Sequence, residues 1–296
     1  MESFRREVVS FPEPSWLRRI REDGAFFSLE PRALFRVSGA DAVRYLGGQL
    51  SIDVNRIPAA AARFACLLTA KGKLVALAVV WRSEPDFFIE APASLCDEVA
   101  ARLERYIIAD DVTVTDESGA RGFHIVGGSA QTAGRLISRI GLPGRDVDQK
   151  PDGLVELSPS EIESVRVFYG IPAWGQEIDA ETLPQEARLD EWAVDFDKGC
   201  YVGQEVVSRL RSVGRVNRKL CGFVGNVIPQ GETFLLKTPE GVEAGRLTSR
   251  YDDLELAQTL ALGYVHRSFD GTSAFEVVGS AGESLGQVER RELPIR

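Results

Sequence analysis

The sequence predicts an α+β protein in which two mixed units are followed by a C-terminal β-barrel. Three observations carry that expectation. Up to about residue 215, apolar runs of strand length alternate with stretches whose apolar residues recur at helical spacing. Beyond it, short apolar runs at 222–224, 233–236, 244–248, 260–265 and 274–278 alternate with turn residues such as Pro239-Glu240-Gly241 and Asp270-Gly271, the pattern of a small closed barrel. The 296 residues, 44% hydrophobic and 27% charged, suffice for a core divided over two or three domains.

The elements follow in order. Residues 26–37 read as strand pieces. Ser38 opens a short helix, with Asp41 as its capping-box partner and Val43, Leu46 and Leu50 on one face. Residues 63–69 and 73–81 form a hairpin across Ala70-Lys71-Gly72, and Phe87-Phe88-Ile89 continues the sheet. Ser94 caps a helix bearing Leu95, Val99, Leu103 and Ile107. Residues 111–126 return to strand, with Val112 and Val114 alternating with Thr113 and Thr115. Ser129–Ile140 reads as a helix closed by Gly141 and Pro143. Ser160 and Glu163 read as the capping box of a helix ending at Gly170.

Charge and cysteine usage exclude several classes. A net charge of −9 disfavours a protein built to wrap nucleic acid, so no direct nucleic-acid partner is expected. No stretch has the length of a membrane helix, and Met1–Ile20 lacks the apolar core of a secretory signal. A cytoplasmic location is expected, with Cys66, Cys96, Cys200 and Cys221 as reduced thiols. Neither the cysteine spacing nor the two histidines, His124 and His266, suggest a metal site.

The densest polar cluster is Asp195-Phe196-Asp197-Lys198-Gly199-Cys200-Tyr201-Val202-Gly203-Gln204-Glu205. Gly199 and Gly203 permit a tight turn and close approach of another backbone or a ligand. Lys198, two residues from the thiol, favours the reactive thiolate, whereas Asp195, Asp197 and Glu205 oppose it. A buried structural cysteine is the plain alternative for Cys200; the glycines and the density of charge favour function. Cys66, Cys96 and Cys221 read as packing residues. Without a histidine in a supporting motif, a Cys-His hydrolase is a weak reading.

The run Lys198-Gly199-Cys200-Tyr201 with Gly203-Gln204-Glu205 resembles the signature of the YgfZ family, folate-binding relatives of the glycine-cleavage aminomethyltransferase. Val37-Ser38-Gly39-Ala40-Asp41-Ala42 with Tyr45-Leu46-Gly47-Gly48-Gln49 and Asp53 resembles the family's opening. Ala70-Lys71-Gly72-Lys73 resembles its central turn, and Gly170-Ile171-Pro172 and Leu183-Pro184-Gln185-Glu186 the approach to the cysteine. The resemblance implies a three-domain ring like that of glycine-cleavage T-protein. Its units would be a discontinuous α+β folate-site domain over 1–48 and 118–212, an inserted α+β domain over 49–117 and a β-barrel over 215–296. It implies tetrahydrofolate or a derivative as cofactor, Cys200 and Lys198 as catalytic residues, and a monomer that works with iron–sulfur assembly proteins or client iron–sulfur enzymes, including tRNA-modifying ones.

The aminomethyltransferase itself carries paired aspartates after the hairpin glycine. The matching positions here are Val75 and Ala76, and residues 74–81 contain no carboxylate, so that proton chemistry is not expected. A pterin presents adjacent N–H groups that suit a carboxylate. Glu186, in the family's P-x-E, is the candidate for that role, with a solvated loop carboxylate as the other reading. Trp174 and Trp192 are candidates to stack on the ring, or else core aromatics. Arg209 and Arg211 open a run of five basic residues through Lys219 without an acid, suited to the folate tail or an acidic partner. Two rival functions stay open: a folate-dependent one-carbon transferase, and a docking protein without chemistry.

Overall fold

The computed structural model describes residues 13–119, 122–128, 135–212, 214–226, 234–253 and 255–295. The chain opens with helix α1 (Ser15–Asp23) and strand β1 (Ala25–Ser28), then crosses to β2 (Arg32–Ser38) and α2 (Ala42–Gln49). The hairpin β3 (Ala62–Leu68) and β4 (Leu74–Ser83) leads to β5 (Asp86–Pro92), α3 (Cys96–Glu104) and β6 (Thr113–Asp116). After β7 (Phe123–Val126), β8 (Arg135–Ile137), β9 (Gly144–Val147) and β10 (Val155–Glu156) come α4 (Pro159–Tyr169) and α5 (Gln204–Ser212). The last unit holds β11 (Arg218–Asn226), β12 (Leu235–Lys237), β13 (Glu243–Asp253), β14 (Gln258–His266), β15 (Ala274–Val278) and β16 (Ser284–Arg291).

These strands make two five-stranded sheets, ordered β10-β1-β7-β9-β8 and β3-β4-β5-β2-β6, and a closed barrel, β11-β14-β13-β12-β15-β16. The expected α+β plan with a terminal barrel is therefore the observed one. The sheets meet edge to edge, where Ala61 bridges Leu136 and the Leu136 amide donates to the Ala60 carbonyl at 2.9 Å. The second sheet takes β2 from ahead of residue 49, where the inserted unit was expected to begin. Ala33, Phe35 and Val37 alternate inward on β2 and join the core that α2 and α3 cover, so this segment packs with the residues that follow it. The barrel docks on α4 through a shared core that includes Val165, Leu220, Leu262 and Tyr264.

Local expectations change in four places. The helix expected over 129–140 is strand at Arg135–Ile137, because pairing with β9 and the bridge to Ala61 overrides local helix preference; residues 129–134 lie outside the described residues. The α4 capping box uses Ser158 and Glu161 rather than Ser160 and Glu163: Pro159 then takes the first helical position, and Glu163 is left to pair with Arg166. Asp41 precedes α2 without capping it; its carboxylate accepts from the Asp111 amide at 2.9 Å. Ser94 lies in a 3₁₀ turn and makes no cap, and α3 ends before Ile107. Among the described residues no helix is long and apolar enough to cross a membrane.

Candidate functional site

A cavity of about 390 Å³ lies between the two sheet units. Its apolar wall includes Phe64 of β3, Leu77 of β4, and Trp174 and Ile178 from the segment after α4. Its polar wall includes Arg32, Arg139, Glu163 and Arg166. The arginines are anchored from behind. Arg139 makes paired bonds to Glu90 (2.8 and 2.9 Å) and to Asp146 (2.8 and 2.7 Å), while Arg32 reaches Glu90 at 2.9 Å. Arg166 bonds Glu177 at 2.8 Å and Ser249 of the barrel at 2.6 Å. Burial pushes the Asp146 carboxyl up, but hydrogen bonds from His124 and Arg139 outweigh it and hold Asp146 well below the usual carboxylate range. Burial likewise lowers His124, whose Nε2 has no partner while Nδ1 meets Asp146 at 2.7 Å.

The hairpin positions matched to the paired aspartates do not line the cavity. Pairing steps from Leu67–Ala76 to Leu68–Leu74, so Val75 is the extra residue of a β-bulge. Ala76 faces the second sheet's core, and Leu77 is the residue that β4 offers to the cavity.

Cys200 lies elsewhere. Its turn is strapped to the end of α2: Val202 N–H donates to Gly48 O at 3.1 Å, and Lys198 Nζ donates to Gly47 O at 2.7 Å and Leu50 O at 2.6 Å. Asp195 continues the strap, accepting from Asp53 N–H at 2.8 Å and pairing with Arg63 at 2.8 Å. Gly203 needs to be glycine, since φ is +87° and an added Cβ would lie 2.6 Å from the Thr69 carbonyl. Gly199 faces open space, Gln204 Oε1 accepts from Tyr201 N–H at 3.4 Å, and Glu205 is exposed at the start of α5. The thiol is exposed while the neighbouring Tyr201 ring is buried. Tyr201 joins Cys66, Leu74 and Val207 in an apolar cluster that also includes Leu77, Ile178 and Trp174, the residues facing the cavity. Cys200 does not line the cavity, and the cluster that roots its neighbour Tyr201 reaches the cavity wall through Leu77, Ile178 and Trp174.

The structure does not gather the remaining candidates at one point. Trp174 lines the cavity, whereas Trp192 stands edge to face on Phe64 at 5.1 Å. Glu186 does not line the cavity: its carboxylate accepts from Leu183 N–H at 3.4 Å and pairs with Arg218 of β11 at 3.3 Å, fastening the barrel. Arg209 and Arg211 are exposed on α5, with Arg211 stacked 3.8 Å over Phe196. Lys198 is committed to the α2 carbonyls, and burial lowers it to about 8. The cavity arginines escaped sequence reasoning because they are scattered from 32 to 166; only Glu163–Arg166, three apart on one helix, gave a local signal. Among the described residues no group of three or more His, Cys, Asp or Glu could hold a metal ion.

The fold defines a protein of the aminomethyltransferase fold, and its β3–β4 hairpin gives the cavity the apolar side chains Phe64 and Leu77. The glycine cleavage system aminomethyltransferase T from Bartonella henselae superposes with a TM-score of 0.78 at 18% identity, covering 94% of this chain and 88% of that one. No family model matches the sequence. The tRNA-modifying protein YgfZ of Sodalis glossinidius is 30% identical over 232 residues, 67% of this chain and 70% of that protein. The YgfZ of Yersinia pseudotuberculosis serotype O:1b is 27% identical over 233 residues, again 67% and 70%, and an uncharacterised Haemophilus influenzae protein is 28% identical over 210, 67% and 72%. The chain belongs to the YgfZ family.

Proposed function

We propose that the protein is a folate-binding accessory factor for iron–sulfur enzymes, including those that modify tRNA, and that it holds reduced folate in the central cavity and works through the Cys200 thiol on a separate face. The observation that carries this reading is that the exposed Cys200 does not line the cavity, while its neighbour Tyr201 is rooted in the apolar cluster that reaches the cavity wall, which lets ligand binding and thiol chemistry be separate tasks. The cavity residues suit a folate: its volume falls within the usual range for ligand pockets, Trp174 supplies a flat apolar face, Glu163 a carboxylate and the arginines a basic wall. Bound folate would bring one-carbon chemistry, yet neither Val75, Ala76 nor Leu77 can accept a proton, which weighs against glycine-cleavage turnover. Client iron–sulfur enzymes or assembly proteins would meet the exposed Cys200 face. A cytosolic setting agrees with four free cysteines.

The test is a tetrahydrofolate titration of wild type, Trp174→Ala and Cys200→Ala beside complementation of iron–sulfur enzyme activity. Trp174→Ala should lose folate affinity. Cys200→Ala should bind folate as wild type does and fail to complement. Loss of folate binding in the Cys200 variant would join the two sites and overturn the reading. Methylenetetrahydrofolate formation with the other glycine-cleavage components would establish the transferase instead.

A further inference from the structure

We infer that Lys198 is a positioning residue, which fixes the Cys200 turn by capping the C-terminal end of α2, and that it does not act by activating the thiol. This rests on Cys200 being the working residue. The last carbonyls of a helix have no partner within it and carry the negative end of the helix dipole, so a cation there is favoured. α2 ends at Gln49, and its terminal carbonyls are taken by the cysteine segment: Gly47 O and Leu50 O by the Lys198 ammonium, Gly48 O by the Val202 amide. Lys198 and Val202 flank Cys200, two residues to either side. The thiol therefore sits at the apex of a turn pinned at both feet to one helix end, and Tyr201 is directed into the apolar cluster while Cys200 faces outward.

The Lys198 amino group also stands 4.9 Å from the Tyr201 ring centroid, so its position also borders the residue that roots the turn. The charged groups that face it are Asp53, which caps the 3₁₀ turn after α2, and Asp195, on the cysteine segment; they favour its proton, while burial opposes it more strongly. Loss of that proton would leave an amine with two N–H groups, enough for both carbonyls. The clamp consequently holds on either side of the lysine's titration, and its effect on the thiol is geometric.

The experiment compares Lys198→Met, which keeps the stem and removes the donors, with Lys198→Arg, which keeps a charged donor. Hydrogen exchange at the Val202 amide, alkylation of Cys200 against pH, and thermal midpoints are followed together. Lys198→Met should lose at least about tenfold of Val202 protection, since a tenfold change corresponds to roughly 1.4 kcal/mol, the scale of one charged hydrogen bond. It should change the Cys200 alkylation rate with no change in its pH midpoint, and Lys198→Arg should recover part of the protection. Unchanged Val202 protection, or an alkylation midpoint that moves upward in Lys198→Met, overturns the inference; the second result would make the lysine an electrostatic activator. If Lys198→Met does not fold, the same readings on Lys198→Gln decide. Complementation by Cys200→Ser would remove the proposed function while leaving the exchange result intact, so the two failures are distinguishable.

Discussion

Replacing Arg139 by Met should destabilise the protein by about 3–5 kcal/mol, the usual loss when one partner of a buried ion pair is removed. The magnitude follows from what remains. Arg139 has an 8% exposed side chain and is bonded twice to Glu90 and twice to Asp146, whose side chains are 7% and 3% exposed. Methionine fills much of the volume and leaves two buried carboxylates facing Arg32, Arg135 and His124. Urea unfolding near pH 7, with both proteins showing the same m-value, gives the difference directly. A pH series supplies the sign. Asp146 is depressed in the folded protein, so its contribution is fully present above its unfolded pKa near 3.8 and is lost as pH falls toward the folded value. Without Arg139 the carboxyl rises, its protonation occurs at higher pH, and the gap between variant and wild type should narrow as pH falls below about 5. Adding Glu90→Gln and Asp146→Asn to Arg139→Met should recover part of the loss, because the two buried carboxylates are then neutral, while Arg32 and Arg135 lose their partners. A loss under about 1 kcal/mol, or a triple variant no better than the single one, would refute the reasoning.

Three further outcomes are expected. Gly203→Ala should lose about 1–3 kcal/mol in urea unfolding, because its φ of +87° and the Thr69 carbonyl at 2.6 Å leave no room for a Cβ. Glu186→Ala should lose about 1.5–3 kcal/mol of stability through its lost bond to Arg218 while leaving folate affinity unchanged, as isothermal titration would report. Wild-type stability should decline as pH falls below about 6.5, since His124 is buried with a lowered pKa and only the unfolded chain takes up the proton there; His124→Gln should remove that part of the decline.

The order of elements was readable where the period was clean. The β3–β4 hairpin, with Gly72 at φ +74°, and five of the barrel strands are such places. β16 escaped because Ser284–Arg291 is mostly polar and buries only Val288. β8 escaped because its state is set by pairing with β9, a non-local contact. In the site, the motif pointed to the thiol, and the structure places it exposed. What spacing could not reveal is direction. Lys198 and Cys200 are two apart, yet the amine reaches back to α2 across about 150 residues of sequence while the thiol faces outward. The P-x-E motif likewise named Glu186 without showing that Arg218 lies opposite it.

The meeting of β3 and β8 has a consequence for solubility. An open sheet edge presents unpaired backbone groups on which another chain can pair and aggregate. Each sheet turns one edge toward the other, at Ala61 and Leu136, and the barrel is closed. Among the described residues the edges left over are β10, two residues long, and β6, four residues of which two are threonine and one aspartate. Short and polar, these offer little template for a second chain. Charge reversal at Arg139, which bonds Glu90 of one unit and Asp146 of the other, would weaken this seam, and any opening there bares the edge of β3, a seven-residue strand with five buried positions.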